Sequence, residues 1–519
     1  MARLAKFSFT SIQNVSDLCL LTTNIRLCAR INRVKTREPA DLFLYRHRYI
    51  IGYSLLVVLF AFYLVVASLF LPGGLTQSEI DMVGITNQLD FSNLSSLAVA
   101  NLPFHLLQLG IFSLFGVSIL TIKLPSIILA IASAIAIFFL LRRWFKPSVS
   151  ILSLILIVSS GQFSFAAQSF TTQILYILYS SLILLFASLV FQKAKLGKIW
   201  KICLSIAVGL SLFTPYFWFI NLGLITVALA HPHTRHFILR RKYLHQWLPA
   251  SLIFLALALP ALFFSLISPS FLTEIIGLNN LQLSITENIR VLVTSYILPD
   301  LTTINGQIAP LLDFGVLIII LFGFIQTLKN CQSARSYMII AWSALALPLL
   351  IIDPSLNSVM TVPVFVLLAV GIETLLHEWY KLFPKNPYAR GTGLAMIIAM
   401  ISMMTLTSLD TFINSYRHLP EAVYQYNTDL NLLAKFKAEN GATLIVNETE
   451  RPVYDALIKY NQLDITISNK PQTESSQIIV SHQARADFGG QSGAQLTKII
   501  NNGRREQADR FYVYDIPPK

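Results

Sequence analysis

The sequence is short of charge. Only 13% of its 519 residues are Asp, Glu, Lys or Arg, about half of what a soluble globular protein carries. With 55% apolar residues and a mean hydropathy of +0.63, such a chain cannot cover its own surface in water. A soluble enzyme, a nucleic-acid binder and a disordered scaffold are all poor readings. The chain reads instead as a protein solvated mostly by lipid. Cysteine is scarce as well, with only Cys19, Cys28, Cys203 and Cys331. None of them falls where an extracytoplasmic disulfide would form, so the outer parts must be stable without one. There is no Walker loop, no dinucleotide-binding glycine pattern and no HExxH. Internal repeats and low-complexity stretches are missing too. The first apolar run begins near Tyr49, behind a long basic tail, which argues against a cleavable signal peptide.

What is present is a series of apolar runs near 20 residues, the length that crosses a bilayer. They lie at about 49–71, 122–141, 148–166, 174–191, 247–266, 312–328, 337–352, 359–376 and 391–409. The stretch 199–230 is too long for one crossing. Pro215, Thr214 and Asn221 interrupt it, so it reads as two short spans joined by a tight turn. The expectation is an α-helical polytopic membrane protein with about eleven transmembrane helices. Lys and Arg in the connections divide sharply under this assignment. Nine precede residue 49, and the same side receives Arg142, Arg143, Lys146, the Lys193–Lys201 cluster, Arg235–Lys242, Lys329, Arg335, Lys381, Lys385 and Arg390. The other side holds only Lys123 and Arg290. The positive-inside rule then puts the N-terminus in the cytoplasm. The formal charge of +13 becomes a cytoplasmic anchor facing anionic lipid, and no nucleic-acid motif accompanies it. The run 103–119 is short and contains His105 and Gln108. If it crossed, Arg142, Arg143 and the Lys193–Lys201 cluster would be inverted, so it is placed flat or re-entrant at the outer face.

This gives a cytoplasmic tail (1–48), a transmembrane domain (49–409) with outer loops 72–121 and 267–311, and an extracytoplasmic tail (410–519). The tail mixes helical patterns at 429–440 and 451–461 with strand-like runs at 442–447, ITIS, QIIVSH and FYVYDI. Its charge is nearly balanced. It reads as a small α/β domain.

Acids are the unusual residues in such a chain. Glu79 and Asp81 follow the first span closely, in LPGGLTQSEIDMVG, a loop without a cation of its own. Lys123 is the one base between the first two spans. A carboxylate at the lipid surface suits proton abstraction from an attacking hydroxyl, and a cation suits a departing phosphate. A nucleotide-sugar enzyme needs a cytoplasmic globular domain to hold its donor. None is visible, which favours a lipid-linked donor. Glu274, Glu287, Arg290 and Asp300 lie in the second large outer loop. HPHTRH (231–236) sits on the cytoplasmic side with no acid or cysteine beside it and makes a poor metal site.

The segment Pro103–Lys146 resembles the signature region of family 39 glycosyltransferases. It carries Pro103, then Leu114-Phe115-Gly116, then Lys123 before Leu124-Pro125-Ser126, and closes on Arg142-Arg143. That family contains protein O-mannosyltransferases and lipid-modifying aminoarabinose-type transferases. The resemblance implies a GT-C fold and transfer of a sugar from a polyprenyl-phosphate donor to a lipid, glycan or protein acceptor at the outer face. It implies an Asp-Glu pair in the first outer loop. Glu79 matches the Glu, Ser78 stands at the Asp position, and Asp81 lies beyond. Gln168 and Gln173 stand where relatives carry charges, and Leu102 replaces a Lys or His before Pro103. The expected catalytic residues are Glu79 and Asp81. Lys123, His105 and Arg290 are the expected ligands of the donor phosphate. No cofactor is firmly implied, and a divalent metal is left open. The competing readings are a catalytically inactive scaffold of the same fold and a lipid or solute transporter. Against the transporter, the spans hold almost no charge apart from Glu373.

Overall fold

The structure is a computed structural model. It describes residues 43–71, 73–169, 172–192, 196–239, 241–277, 284–297, 311–419, 425–435, 442–468, 477–485, 488, 495–501 and 509–515. Residues 1–42 of the basic tail and Asp300 therefore lie outside the described residues, and residues 43–48 of that tail already belong to the first helix. The chain divides into two units, Met1–Phe60 and Ala61–Lys519. The described part of the first is the N-terminal stretch of one helix, α1 (Phe43–Phe70).

Helices dominate the second unit. They are α2 (Gln77–Asn87), α3 (Leu102–Phe115), α4 (Ile119–Trp144), α5 (Pro147–Ser159), α6 (Gly161–Gln168), α7 (Gln173–Phe191), α8 (Gly197–Ser211) and α9 (Phe217–Ala230). Then come α10 (Pro232–Leu239), α11 (Arg241–Ile267), α12 (Pro269–Ile276), α13 (Ile285–Ile297), α14 (Phe314–Lys329), α15 (Ala334–Ile352), α16 (Asn357–Leu382) and α17 (Pro387–His418). Among the described residues seven helices are long and apolar enough to cross a membrane, or eight if α5 and α6 form one span bent by 62°. The bend has a local cause. Ser160 is extended (φ −62°, ψ 144°), ends α5, and its hydroxyl caps α6 by accepting from Phe163 N–H. The remaining three spans expected from the sequence are helices too short to pass that test: α8, α9 and α14, of 15, 14 and 16 residues. The stretch 199–230 does split in two, as its Pro215 predicts. α3 has 14 residues, about 21 Å at the usual rise, which is short of a bilayer's apolar thickness.

The sequence writes several of these boundaries. Thr76 and Glu79 form a capping box that starts α2, and Ser118 and Thr121 form another that starts α4. α4 ends on Arg142 and Arg143, cations at the negative end of the helix dipole. α16 and α7 are the most deeply buried spans, whereas α17 shows most of its surface. α14 lies very close to α16 because Gly323 and Gly371 face each other's helix. A Cβ on either would collide with the other's backbone.

The last long helix runs to His418, so the boundary expected at residue 410 falls inside it. Beyond it lie α18 (Asp429–Lys435), β1 (Ala442–Ile445), α19 (Arg451–Asn461), β2 (Ile465–Ile467), β3 (Gln477–Ser481), β4 (Gln495–Asn501) and β5 (Asp509–Asp515). The five strands form one sheet in the order β2-β1-β3-β5-β4. β1 pairs in parallel with both β2 and β3, while β5 runs antiparallel to β3 and β4. β1–α19–β2 is a crossover unit, and β1 and β3 are buried along their whole length, as central strands must be. The α/β reading of the tail holds. β4 is the strand it lacked, because Gln495–Asn501 is an exposed edge with weak alternation.

Candidate active site

α2 presents three faces, and each does something different. Ser78, Met82 and Ile85, spaced by four and three, line a cavity of about 570 Å³. Glu79, Ile80, Val83 and Thr86 turn into the protein. Gln77, Asp81, Gly84 and Asn87 turn elsewhere. The Gln77 amide donates to Asp81 Oδ1 (3.0 Å) and to the Thr449 carbonyl (3.0 Å), Gly84 abuts Pro452, and Asn87 meets Lys459. The two expected acids are therefore on different faces, and neither lines the cavity. Ser78, at the position where the resemblance implies an Asp, does.

Glu79 is fully buried. Its Oε2 accepts from the Thr76 backbone (2.7 Å) and hydroxyl (3.2 Å). Its Oε1 lies 4.0 Å from Lys123 Nζ. Lys123 is buried as well, and its ammonium sits 5.9 Å from the centre of the Tyr426 ring. The loop that seemed to lack a neutralising cation thus receives one from α4. Arg290, on α13, is exposed and paired with Glu287 at 3.7 Å, away from the cavity lining.

His105 is the one expected phosphate ligand that lines the cavity. Its Nδ1 is 2.8 Å from the Thr86 hydroxyl, and burial pushes the imidazole down to about 4, so it is neutral at physiological pH. Asn101, Thr172, Gln173, Tyr176, Tyr216, Ser270, Glu274, Asp353 and Ser355 complete the polar lining. Three of these carry buried atoms without a hydrogen-bond partner: Asn101 Oδ1, Gln173 Nε2 and Asp353 Oδ2. Buried polar groups are normally satisfied. Three such atoms on residues around one cavity make it the candidate place for a polar ligand. Asp353 is held by its other oxygen, which accepts from Ser355 N–H at 2.9 Å. Glu274 stands at the rim, and partial burial raises its carboxyl above the ordinary value. Burial, and then the Asp353 carboxylate, push the Tyr216 phenol up to about 12. No Lys or Arg lines the cavity among the described residues. No group of three metal-ligating side chains occurs among them either.

A second, apolar groove of about 300 Å³ is walled by the same helices: Pro103, Phe104 and Leu107 of α3, and Leu175, Leu178, Tyr179, Leu182 and Phe186 of α7, with Leu129, Ile206, Ala207 and Leu210. On α7, Gln173 and Tyr176 line the polar cavity, and Leu175, Leu178, Tyr179, Leu182 and Phe186 line the groove.

Asp353 is the functional candidate that the sequence reading missed. It follows a span directly in IIDPSLNS. An acid directly after a span was the available signal, hidden because the connection is short. Gln173 stood out only as a departure from the family pattern, yet it belongs to the cavity. Gln168 is buried and does not line it.

Known proteins share this architecture. A family model described as dolichyl-phosphate-mannose-protein mannosyltransferase matches residues 102–264, about a third of the chain. The crystal structure of ArnT from Cupriavidus metallidurans bound to undecaprenyl phosphate is similar over 89% of this chain and 98% of that one, with 12% identity and a TM-score of 0.51. The fold is that of the GT-C membrane glycosyltransferases. An Archaeoglobus fulgidus oligosaccharyltransferase tethered to an acceptor peptide matches 81% of this chain and 64% of its own, with 11% identity and a TM-score of 0.47. The arabinofuranosyltransferase AftD from Mycobacteria matches 89% and 41%, with 14% identity and a TM-score of 0.47. No curated protein sequence matches the chain. In this GT-C chain, the cavity is built by the first loop (α2, α3), the start of α7, the short helix α12 and the end of α15.

Proposed function

We propose that the protein transfers a sugar from a polyprenyl-phosphate donor to an acceptor hydroxyl, with the chemistry in the cavity between α2, α3, α7, α12 and α15. One observation carries this reading. A polar cavity with orphaned hydrogen-bonding atoms and an apolar groove are both lined by α3 and α7, the two kinds of surface that an amphiphile with a polar head and a long apolar tail requires. In this reading Asp353 is the base. Its unpartnered oxygen takes the acceptor's proton as the acceptor oxygen bonds to the anomeric carbon. The bond from that carbon to the phosphate oxygen breaks, and polyprenyl phosphate leaves. Gln173, Asn101 and neutral His105 supply hydrogen bonds to the head group. Glu274 orients the acceptor at the rim. Glu79 and Lys123 hold α2 and α4 together, and Asp81 fixes Gln77 against Thr449. The prenyl chain of the donor lies along α7. The sequence's Lys and Arg distribution supports a plasma-membrane protein whose N-terminus is cytoplasmic, with the cavity at the opposite face.

One observation favours a second reading. Ser78 occupies the cavity wall where the family's acid would stand, as in a relative that binds donor without turning it over. A single assay separates the two. Protein in lipid is given radiolabelled polyprenyl-phosphate sugars and membrane extract, beside Asp353→Asn and Glu274→Gln. Transfer that disappears in Asp353→Asn supports the enzyme. Donor binding without transfer in the unaltered protein supports the inactive relative.

A further inference from the structure

The helix α19 belongs to the C-terminal sheet domain, yet its contacts run along the first loop. Before its start, the Thr449 carbonyl accepts from Gln77 at the beginning of α2 (3.0 Å). At its second residue, Pro452 packs on Gly84 so closely that a Cβ at Gly84 would be 2.9 Å away. Near its end, Lys459 Nζ donates to the Asn87 side chain (3.0 Å) and carbonyl (3.3 Å) at the end of α2. The Tyr460 ring meets Phe112 of α3, 5.5 Å between centres. Its last residue, Asn461, takes both backbone groups of Val117: Oδ1 accepts from Val117 N–H at 2.6 Å, and Nδ2 donates to its carbonyl at 3.0 Å.

Val117 lies in the turn between α3 and α4. The preceding Gly116 has φ 70° and ψ −172°, a conformation open essentially to glycine. A Cβ there would lie 2.5 Å from Asn461 Oδ1. Val117 is buried, so without the amide both of its polar groups would lose their partners, which is costly inside a protein. One helix of the C-terminal domain thus holds three elements at once. These are α2 with Ser78, Met82 and Ile85, α3 with Asn101 and His105, and α4 with Lys123.

We infer that the C-terminal domain sets the position of the cavity wall through α19, and that Asn461 is a positioning residue for the reaction. This rests on the glycosyl-transfer reading for its functional half only. The domain lies beside the cavity, and none of its residues lines it among those described. Its effect passes through the α3–α4 turn and through α2.

The test uses the full chain in lipid nanodiscs, with amide hydrogen exchange and turnover measured on the same samples. In Asn461→Ala, amides of Gln77–Asn87 and of the Gly116–Ser118 turn should exchange about tenfold faster or more, as expected for loss of a buried hydrogen-bonded pair. The β1 and β3 amides should stay protected, showing that the domain remains folded. kcat should fall while the KM for donor changes little, because the tail groove is untouched. Asn461→Asp keeps the acceptor for Val117 N–H and should recover part of the protection and part of kcat. Lys459→Ala, an exposed contact, gives a second reading of α2 if Asn461→Ala does not fold, and should loosen the end of α2 alone. Unchanged exchange in α2 and in the turn would overturn the inference, as would faster exchange with unaltered kcat in an active enzyme. An unaltered protein that transfers no sugar sinks the transfer reading and, with it, the functional half. The exchange data then still decide whether Asn461 holds the wall.

Discussion

Replacing Lys123 by methionine removes the cation beside the buried Glu79 carboxylate and leaves it its hydrogen bonds from Thr76. Glu79 and Lys123 show 0% and 1% of their side-chain surface, with Oε1 and Nζ 4.0 Å apart. At that distance two unit charges attract by about 4 kcal/mol for an effective dielectric constant near 20. Removing one partner of a buried pair typically costs about 3–5 kcal/mol, because the remaining charge keeps its desolvation penalty. Lys123→Met should therefore lose about that much stability, and so should Glu79→Gln, which also weakens the capping box to Thr76. The double variant should cost far less than the sum, since no buried charge remains. The assay is a double-mutant cycle on full-length protein, by thermal unfolding in detergent and by sugar transfer. The transfer arm separates two roles for Glu79. A carboxylate that takes the acceptor's proton leaves the double variant dead. A carboxylate that only anchors α2 to α4 lets Glu79→Gln/Lys123→Met regain turnover. Single variants that each cost under about 1 kcal/mol, or a double that costs their full sum, would falsify the buried-pair account.

Asp353→Asn should lower kcat by at least about a hundredfold, the usual scale for a lost general base, with donor KM nearly unchanged in steady-state transfer assays. Leu182→Trp should fill the apolar groove, raising the KM for long-chain donor while a short-chain analogue is used as before. The carboxyl of Glu450, in the C-terminal domain, is pushed up to about 7, chiefly by burial with a smaller push from Asp429, against the opposing pull of a Ser481 hydrogen bond and then of Asn427 and Arg510. A raised acid holds more proton folded than unfolded, so stability should fall by about 3 kcal/mol as pH rises from about 4.5 to about 7. Glu450→Gln should flatten that slope in exchange protection of β1 and β3, and an unchanged slope would refute it.

Much of the fold was written in the sequence because a bilayer leaves few options. Apolar runs long enough to cross it reflect a cost that the chain must meet locally. Pro215 breaks 199–230 as the sequence suggests, whereas the Ser160 bend in 148–166 and the Thr76–Glu79 capping box of α2 came only with the structure. The cavity was not legible in this way. It gathers Ser78, Asn101, Gln173, Glu274 and Asp353, residues separated by up to hundreds of positions, and only packing brings them together. Acids close in the chain drew the eye instead, and Glu79 and Asp81 are close.

Two residues apart on a helix means about 200° apart around it, so adjacency in sequence was itself the reason they cannot share one face. The same period explains why Ser78 and not Glu79 meets the cavity, and why Thr76 and Lys123 claim Glu79 instead. A carboxylate that both starts a helix and neutralises a buried lysine is fully engaged in its ground state. A base needs a free oxygen where the acceptor arrives. In this chain Asp353, a residue of the cavity lining, has one oxygen held by Ser355 and the other without a hydrogen-bond partner, and we propose it as that base. If position 78 is where the family-39 resemblance places an acid, activity requires that acidic function elsewhere, and we propose that it lies across the cavity at the end of α15. Restoring it with Ser78→Asp in the Asp353→Asn background tests this directly. Regained transfer means that the two walls face one reacting centre, and continued silence means that Asp353 acts at a place α2 does not reach.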